Sequence, residues 1–298
     1  MNPDDKDLYG GLLSVTFEVD RFHLDSSVTI STTFAHLTCQ FFLTFSPAPL
    51  GQSPQGLWKQ AEGGFGFDVS AEIFVPKEFD WPKRVGQAHT IWWVAALLRL
   101  RATPHVLVPV ISNVSFSEAA STNKSVRFSL VDSESQRTSV VLDPNAGDRV
   151  TLEHLEWVRQ HWINAGHLVQ KHSKFALAMR AFDNCSFGCY PELALLQLWG
   201  ALEALFSPGR DELRFRISTN VATFLEPPGR ERHPLQKRVA KLYDSRSAVA
   251  HGRAQNIEDA LIETYAVTRH VLLTIIEPNH VPSVNELESK LFGSVVSS

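Results

Sequence analysis

The pattern of apolar and polar positions divides the chain into two halves. In the first half, alternating runs rich in β-branched and aromatic residues are separated by glycine, proline and asparagine, which is typical of strands joined by turns. One more continuous apolar run has helical spacing and predicts a helix over residues 87–100. The predicted strands are residues 12–19, 40–45, 65–75, 106–111, 126–131 and 138–142.

After residue 148 the apolar period becomes helical. A continuous apolar face predicts one long helix over residues 152–182, and Pro191 lies in the first turn of the next predicted helix. Gly252 is a candidate C-cap, Asn256 with Asp259 a candidate N-cap, and Ser283-x-x-Glu286 has the form of a capping box. The later predicted helices are residues 191–206, 211–225, 235–251, 257–277 and a short one that ends before Gly293.

These elements predict an α+β fold. A strand-rich N-terminal domain with one helix would cover residues 1–148, and an all-α bundle with a short C-terminal appendage would cover residues 149–298. Trp92 and Trp93 are adjacent, so they cannot both face one core. We therefore expect one of them to pack against the helical half or a ligand, and domain packing is the favoured explanation.

Composition places the chain among soluble globular proteins. It has 298 residues, of which 44% are apolar and 20% charged. The acidic, polar start is not a signal peptide, and the longest apolar run, residues 91–98, is closed by Arg99 and too short to cross a bilayer. The expectation is a cytoplasmic protein with no membrane partner.

The cysteines predict neither disulfides nor a cofactor. Their number is odd, and Cys185-x3-Cys189 lacks the usual zinc-ribbon spacing. Because His161, His167 and His172 precede this pair, a zinc site stays open as the alternative to ordinary thiols.

A basic segment interrupts the second half. Residues 230–253 contain seven basic residues and two acidic ones, a net charge of +5, although the whole chain carries −4. Such a segment attracts polyanions such as RNA, although a solvated helix face would have the same composition.

Arg246 and His251 are the candidate chemical groups within this segment. A guanidinium keeps its charge and suits a phosphate, whereas an imidazole titrates near neutrality and suits proton transfer. Arg246 falls on the apolar stripe of its helix with Leu242 and Val249, where a charge is costly unless it is paired. Glu203 is the acid we expect to pair with it, because no other acid lies in residues 193–206. A purely structural ion pair is the alternative reading.

The spacing of the two groups raises a geometric question. Five residues along a helix rotate a side chain by about 140°, so Arg246 and His251 do not share a face. Three arrangements would bring the two groups together: the last turn is distorted, the arginine bends towards the histidine, or two chains each supply one group to a shared cleft.

The second half resembles the HEPN superfamily of helical domains, which includes many metal-independent ribonucleases. Arg246 and His251 are separated by four residues, as in the HEPN signature, and the surrounding Leu-Tyr-Asp-Ser-Arg-Ser is most similar to the Apea-like branch. Residues 201–206, Ala-Leu-Glu-Ala-Leu-Phe, resemble the second-helix motif of that branch. Ser247 directly follows Arg246, at a position that is Asn, Asp or His in many HEPN ribonucleases. The resemblance covers residues 152–277 and does not extend to the first half.

The resemblance implies an endoribonuclease that cleaves RNA by attack of its own 2′-hydroxyl, so that no metal is required. His251 would transfer the proton, Arg246 would stabilise the charged pentacovalent phosphorus, and Glu203 and Ser247 would orient the pair. Candidate phosphate contacts are Arg216, Lys241 and Arg253. The resemblance also implies a homodimer formed through the helical half, a role in bacterial antiviral or toxin systems, and a possible regulatory partner protein.

The competing hypothesis is a non-catalytic helical module that binds nucleotide, RNA or a partner protein. Gly200 in the apolar helix over residues 191–206 would permit the close approach that such an interface needs. Arg246 and His251 would then be structural or ligand-binding groups. No motif favours an enzyme centred in the strand-rich half.

Overall fold

The alternating residues of the first half form a six-stranded antiparallel sheet in the order β3-β4-β5-β1-β6-β7. The computed structural model describes residues 6–45, 59–79, 86–121, 126, 128–130, 134, 141–187, 190–207, 212–253 and 256–293. The strands are β1 (Leu8–Leu13), β2 (Thr16–Phe17), β3 (Arg21–His23), β4 (Thr29–Phe45), β5 (Lys59–Val75), β6 (Leu107–Ser112), β7 (Phe128–Leu130) and β8 (Arg149–Val150).

Four of the six strand predictions coincide with observed strands. The predicted strands at 40–45 and 65–75 lie within β4 and β5, which are 17 residues each and pair along their length. The prediction at 106–111 matches β6, and β7 lies within 126–131. Of the prediction at 138–142, residues 138–140 lie outside the described residues, and Val141 and Leu142 are not in a strand.

The prediction of one strand over residues 12–19 is wrong. Strand β1 ends at Leu13, and Ser14 adopts a left-handed conformation with φ of 64°. The chain then enters β2, which pairs in parallel with β8 instead of joining the main sheet. A single residue of positive φ thus divides an alternating run between two sheets.

Helix α1 (Gln87–Arg101) lies between the sheet and the helical half, and it agrees with the prediction at 87–100. Residues on all of its sides are buried, which is expected of a helix covered on both faces. Gly10 of β1 permits its close approach, because a Cβ at this position would collide with Ile91. Trp92 and Trp93 both bond to the helical half: Nε1 of Trp93 donates to the Trp162 carbonyl at 3.0 Å, and Nε1 of Trp92 donates to Asp183 at 2.7 Å.

The second half is helical, so the predicted α+β class is confirmed. The prediction of one helix over residues 152–182 is wrong, because His172 leaves the helical region with φ of −122° and ψ of 96°. The break falls among four consecutive polar residues, 171–174, where no apolar side chain holds the helix to the core. The remaining helices are α2 (Phe116–Ser121), α3 (Leu152–Lys171), α4 (Ser173–Asn184), α5 (Pro191–Phe206), α6 (Leu213–Leu225), α7 (Arg232–Ala250), α8 (Ile257–Ile276) and α9 (Val284–Phe292).

Helix ends follow the predicted capping with one exception. The capping box of Ser283 and Glu286 is present, and Gly293 ends α9 in the left-handed conformation. Asn256 is the N-cap residue of α8, as predicted, but its side chain makes no capping hydrogen bond and its backbone has φ of 54°.

One buried apolar cluster runs through both halves. It includes Leu12 and Ile73 of the sheet, Leu97 of α1 and Leu198 and Val271 of the helical half. The predicted boundary at residues 148 and 149 therefore lies beside a shared core.

Candidate functional site

The site is formed where α7 packs against α5. The Nη2 atom of Arg246 lies 3.0 Å from Oε1 of Glu203, and both side chains keep about a quarter of their surface exposed. The predicted pairing of Glu203 with Arg246 is therefore confirmed as a contact. An ion pair at this depth holds the guanidinium in place while leaving part of it accessible.

Two aromatic rings form the wall of the site. The Tyr243 ring meets the buried Trp199 ring edge to face, with centroids 5.2 Å apart. The Arg246 guanidinium carbon lies 5.6 Å from the Tyr243 centroid, within cation–π distance. Arg246 is thus held by a carboxylate from α5 and by a ring on its own helix.

The site holds an unusual concentration of polar atoms without hydrogen bonds. In the part of the chain that the structure describes, Arg246 Nε, Glu203 Oε1 and Trp199 Nε1 are buried and have no hydrogen-bond partner. The Arg246–Glu203 contact has the distance of an ion pair but not the alignment of a hydrogen bond. Buried polar atoms are normally satisfied, so these three are an exception to the usual pattern of protein interiors.

Helix α7 is only lightly covered by the rest of the chain. Among its 19 residues only Val239, Ala240 and Leu242 are buried. Val249, which was predicted on the same apolar stripe as Arg246, is half-buried, as are Leu235 and Ser247. The C-terminal half of α7 therefore offers a partly open surface around Arg246.

His251 lies at the end of this helix and does not reach Arg246. It is the C-cap residue, and its side chain is exposed. Gly252 follows with φ of 67°, and the Arg253 N–H donates to the Ala248 carbonyl at 2.9 Å. This is a Schellman motif, which confirms the prediction that Gly252 terminates the helix.

The helix stays regular to Ala250, and Arg246 turns towards Glu203 and Tyr243. No hydrogen bond, ion pair or ring contact joins Arg246 to His251 within the described chain. A distorted last turn and an arginine bent towards His251 were two of the three predicted alternatives, and neither occurs in the single chain. Only the two-chain arrangement would still bring the groups together.

The predicted phosphate contacts lie on the surface. Arg216, Lys241 and Arg253 are exposed, and none of them forms an ion pair within the described ranges. Other charges of this region are neutralised across helices. Arg214 of α6 binds both oxygens of Asp244 at 2.6 and 2.7 Å, and Arg238 binds Glu263 of α8 at 2.8 Å. Because Arg214 adds one positive charge and Glu263 adds one negative charge, these two pairs leave the net charge of +5 unchanged.

A buried charge network was missed by sequence reasoning. Arg99, which appeared only to close an apolar run, is 1% exposed. Its Nε donates to Asp183 at 2.6 Å, its two terminal nitrogens donate to Glu134 at 3.3 Å, and Nη1 also donates to the Val106 carbonyl. Burial alone would lower the pKa of Arg99, but the two carboxylates outweigh it and raise the pKa. Burial raises the pKa of Glu134 despite the arginine.

Sequence spacing held no signal for this network, because Glu134 and Asp183 lie 35 and 84 residues from Arg99. The network joins α1, α4 and β6, whose Val108 N–H donates to Glu134, and all five N–H groups of the Arg99 guanidinium donate within it. It is therefore a structural crosslink of the two halves.

The cysteine prediction is settled only in part. Cys185 is buried, its thiol donates to the Phe182 carbonyl at 2.9 Å, and burial raises its pKa far above the usual range. Cys189 lies outside the described residues. Within those residues no group of three metal-binding side chains is present, and His161 instead bonds the Trp157 carbonyl.

Comparisons of the chain with protein-family models, with curated proteins and with solved structures find no match. Over the residues that the structure describes, no helix combines the length and apolar character that crossing a membrane requires.

Proposed function

We propose that this protein is a metal-independent endoribonuclease of the HEPN type. The observation that carries the proposal is the Arg246–Glu203 pair, about a quarter exposed on a lightly covered helix. Among the described residues, Arg246 Nε, Glu203 Oε1 and the neighbouring Trp199 Nε1 have no hydrogen-bond partner. A fixed guanidinium with free donors is suited to the oxygens of a phosphate as charge develops on them.

The proposed reaction is an internal transesterification. His251 would accept the proton of an RNA 2′-hydroxyl, and the 2′-oxygen would bond to the adjacent phosphorus as the bond to the 5′-oxygen breaks. Arg246 would stabilise the pentacovalent state, and the departing 5′-oxygen would take a proton from solvent. The products would be a 2′,3′-cyclic phosphate and a 5′-hydroxyl. Single-stranded or loop RNA would be the substrate, because the 2′-hydroxyl must swing into line.

The proposed active unit is a homodimer, since one chain does not bring Arg246 and His251 together. Arg246 of one protomer would face His251 of its partner across the open surface of α7. Glu203 would orient Arg246, Ser247 would line the cleft, and the exposed Arg216, Lys241 and Arg253 would contact the RNA backbone. A role in antiviral defence or a toxin system would follow, with the strand-rich half or a partner protein restraining the nuclease.

The direct test is cleavage of a mixed RNA pool in EDTA by the wild type, Arg246→Ala and His251→Ala. We expect cleavage by the wild type and by the control variant Arg238→Ala, with 2′,3′-cyclic phosphate ends, and none by Arg246→Ala or His251→Ala. Arg238→Ala is the matched control, because Arg238 lies on the same helix in an exposed ion pair. Equal cleavage by all four proteins would rule out the site.

Mixing the two inactive variants tests the two-chain cleft. A heterodimer of Arg246→Ala and His251→Ala retains one intact composite site, so a re-equilibrated mixture should recover about a quarter of the wild-type rate. No recovery in proven heterodimers would contradict a shared cleft.

The separation of Arg246 from His251 in one chain also favours the alternative function, a non-catalytic module that binds RNA or a partner protein. That module would bind RNA without cutting it, and binding would be lost in Arg246→Ala but retained in His251→Ala.

A further inference from the structure

A pocket separate from the Arg246 site lies between α8 and the segment that precedes β8. Its volume is about 400 Å³, which is in the range of small-molecule sites. Its walls are mainly apolar, and its polar side chains are Asp143, Asn145, Tyr265, Arg269 and His270. None of these residues belongs to the Arg246 site.

The pocket runs from an exposed rim to a buried tyrosine. Asn145 and His270 are exposed, whereas Tyr265 is 1% exposed and its ring stacks on Phe182 with centroids 4.7 Å apart. The Tyr265 hydroxyl is buried and has no hydrogen-bond partner in the described chain. Burial raises the pKa of this hydroxyl well above its usual value, so it stays protonated and remains a donor. A buried donor without an acceptor is costly, and a ligand acceptor would remove that cost.

The charges of the pocket are balanced and rigidly held. Arg269 donates to the carbonyls of Leu100 and Arg101, each at 2.7 Å, which leaves Nη1 facing Asp143 at 3.7 Å. The other oxygen of Asp143 accepts the Asn145 N–H at 3.1 Å. One cation and one anion therefore stand opposite each other at more than hydrogen-bond distance, which favours a neutral ligand over an ion.

We propose that this pocket binds a small neutral heterocycle whose edge carries a hydrogen-bond acceptor beside a donor, the chemistry of a nucleobase or nucleoside. The ligand carbonyl would accept from Tyr265, its ring N–H would donate to Asp143, and its faces would lie against the apolar walls. The proposal does not depend on the ribonuclease function, because the two sites share no residue.

The test uses the full chain and a panel of the free bases and nucleosides of RNA at about 1 mM, with inorganic phosphate as the anionic probe. Thermal shift and titration calorimetry report binding, because a ligand that binds only the folded state raises the Tm. We expect at least one member of the panel to bind and phosphate not to bind. A chain that binds none of the panel, or binds phosphate at this pocket instead, would overturn the proposal.

Variants assign the binding to this pocket. Tyr265→Phe removes only a hydroxyl that makes no hydrogen bond to the described residues, so the variant should fold with an equal or higher Tm. We expect its affinity for the base to fall about tenfold or more, and that of Asp143→Asn likewise. Tyr190→Phe is the matched control, because Tyr190 is exposed and does not line the pocket. Unchanged affinity in both pocket variants would contradict the assignment.

Discussion

Arg246 combines a structural contact with a proposed chemical role, and one substitution separates them. Arg246→Lys keeps a positive charge beside Glu203 but loses the planar fork of donors. We expect its Tm to stay close to that of the wild type while the RNA cleavage rate falls about 100-fold. A rate equal to that of the wild type would mean that only the charge of Arg246 matters.

Arg99 should be far more important for stability than for activity. Arg99→Met leaves the Glu134 and Asp183 carboxylates buried without their cation, which we expect to lower the free energy of unfolding by about 3–5 kcal/mol. Urea denaturation measures this loss. Adding Glu134→Gln and Asp183→Asn to the same chain should restore much of it, since the uncompensated charges are then gone. An unchanged midpoint for Arg99→Met would contradict the network's proposed role.

At the residue scale the sequence predicted one of these two charge contacts. Glu203 could be matched to Arg246 because it is the only acid in a long apolar stretch, so it had to find a cation. Arg99 could not be matched to its acids, because they come from elements whose approach depends on the whole fold. The Tyr243 contact with Arg246 could be foreseen from their spacing of three residues on one helix, but was not.

The end of α7 depends on one glycine. Gly252 has φ of 67°, and a Cβ there would meet no neighbour within 4 Å, so any cost of substitution comes from the backbone alone. We expect Gly252→Ala to lower the free energy of unfolding by about 1 kcal/mol and to loosen the position of His251. Chemical denaturation measures the first effect, and Gly229→Ala is a control glycine without positive φ or close contacts. Equal stability of the two variants would contradict the argument.

Because of the capping box of α9, the stability of the fold should decrease as the pH falls into the acidic range. The Ser283 N–H donates to Glu286 at 2.7 Å, and this hydrogen bond lowers the pKa of Glu286 below its usual 4.5. A lowered pKa stabilises the fold above the unfolded-state value, and that contribution is lost as the pH falls through the folded-state value. Glu286→Gln should therefore have a smaller drop in Tm between about pH 6 and pH 3 than the wild type. An identical drop would show that Glu286 does not contribute.

Helices could be predicted from the sequence where residues within one turn determine where they begin. Helices α5 and α9 follow from Pro191 and from the capping box, which act within one turn. The break at His172 and the turn at Ser14 were not predicted, because neither position carries a glycine or proline. Both arise where the chain changes the surface it packs against, and that surface is formed by distant residues.

For the whole molecule, the shared core predicts that the two halves unfold together. Leu12 and Leu198 belong to one buried cluster, and Arg269 of α8 bonds the last carbonyls of α1. We expect a single thermal transition, with equal calorimetric and van't Hoff enthalpies. Two separate transitions would instead indicate that residues 1–148 and 149–298 fold independently, as the change of periodicity alone suggests.

The buried Arg99 network has an evolutionary consequence. Its three charged side chains compensate one another. Replacing one of them alone leaves an uncompensated buried charge and gives a poorly stable protein, unless the others are replaced too. Descendants of a common ancestor should therefore keep Arg99, Glu134 and Asp183 together or replace all three with uncharged residues. These three positions, although far apart in the sequence, would therefore covary among related proteins.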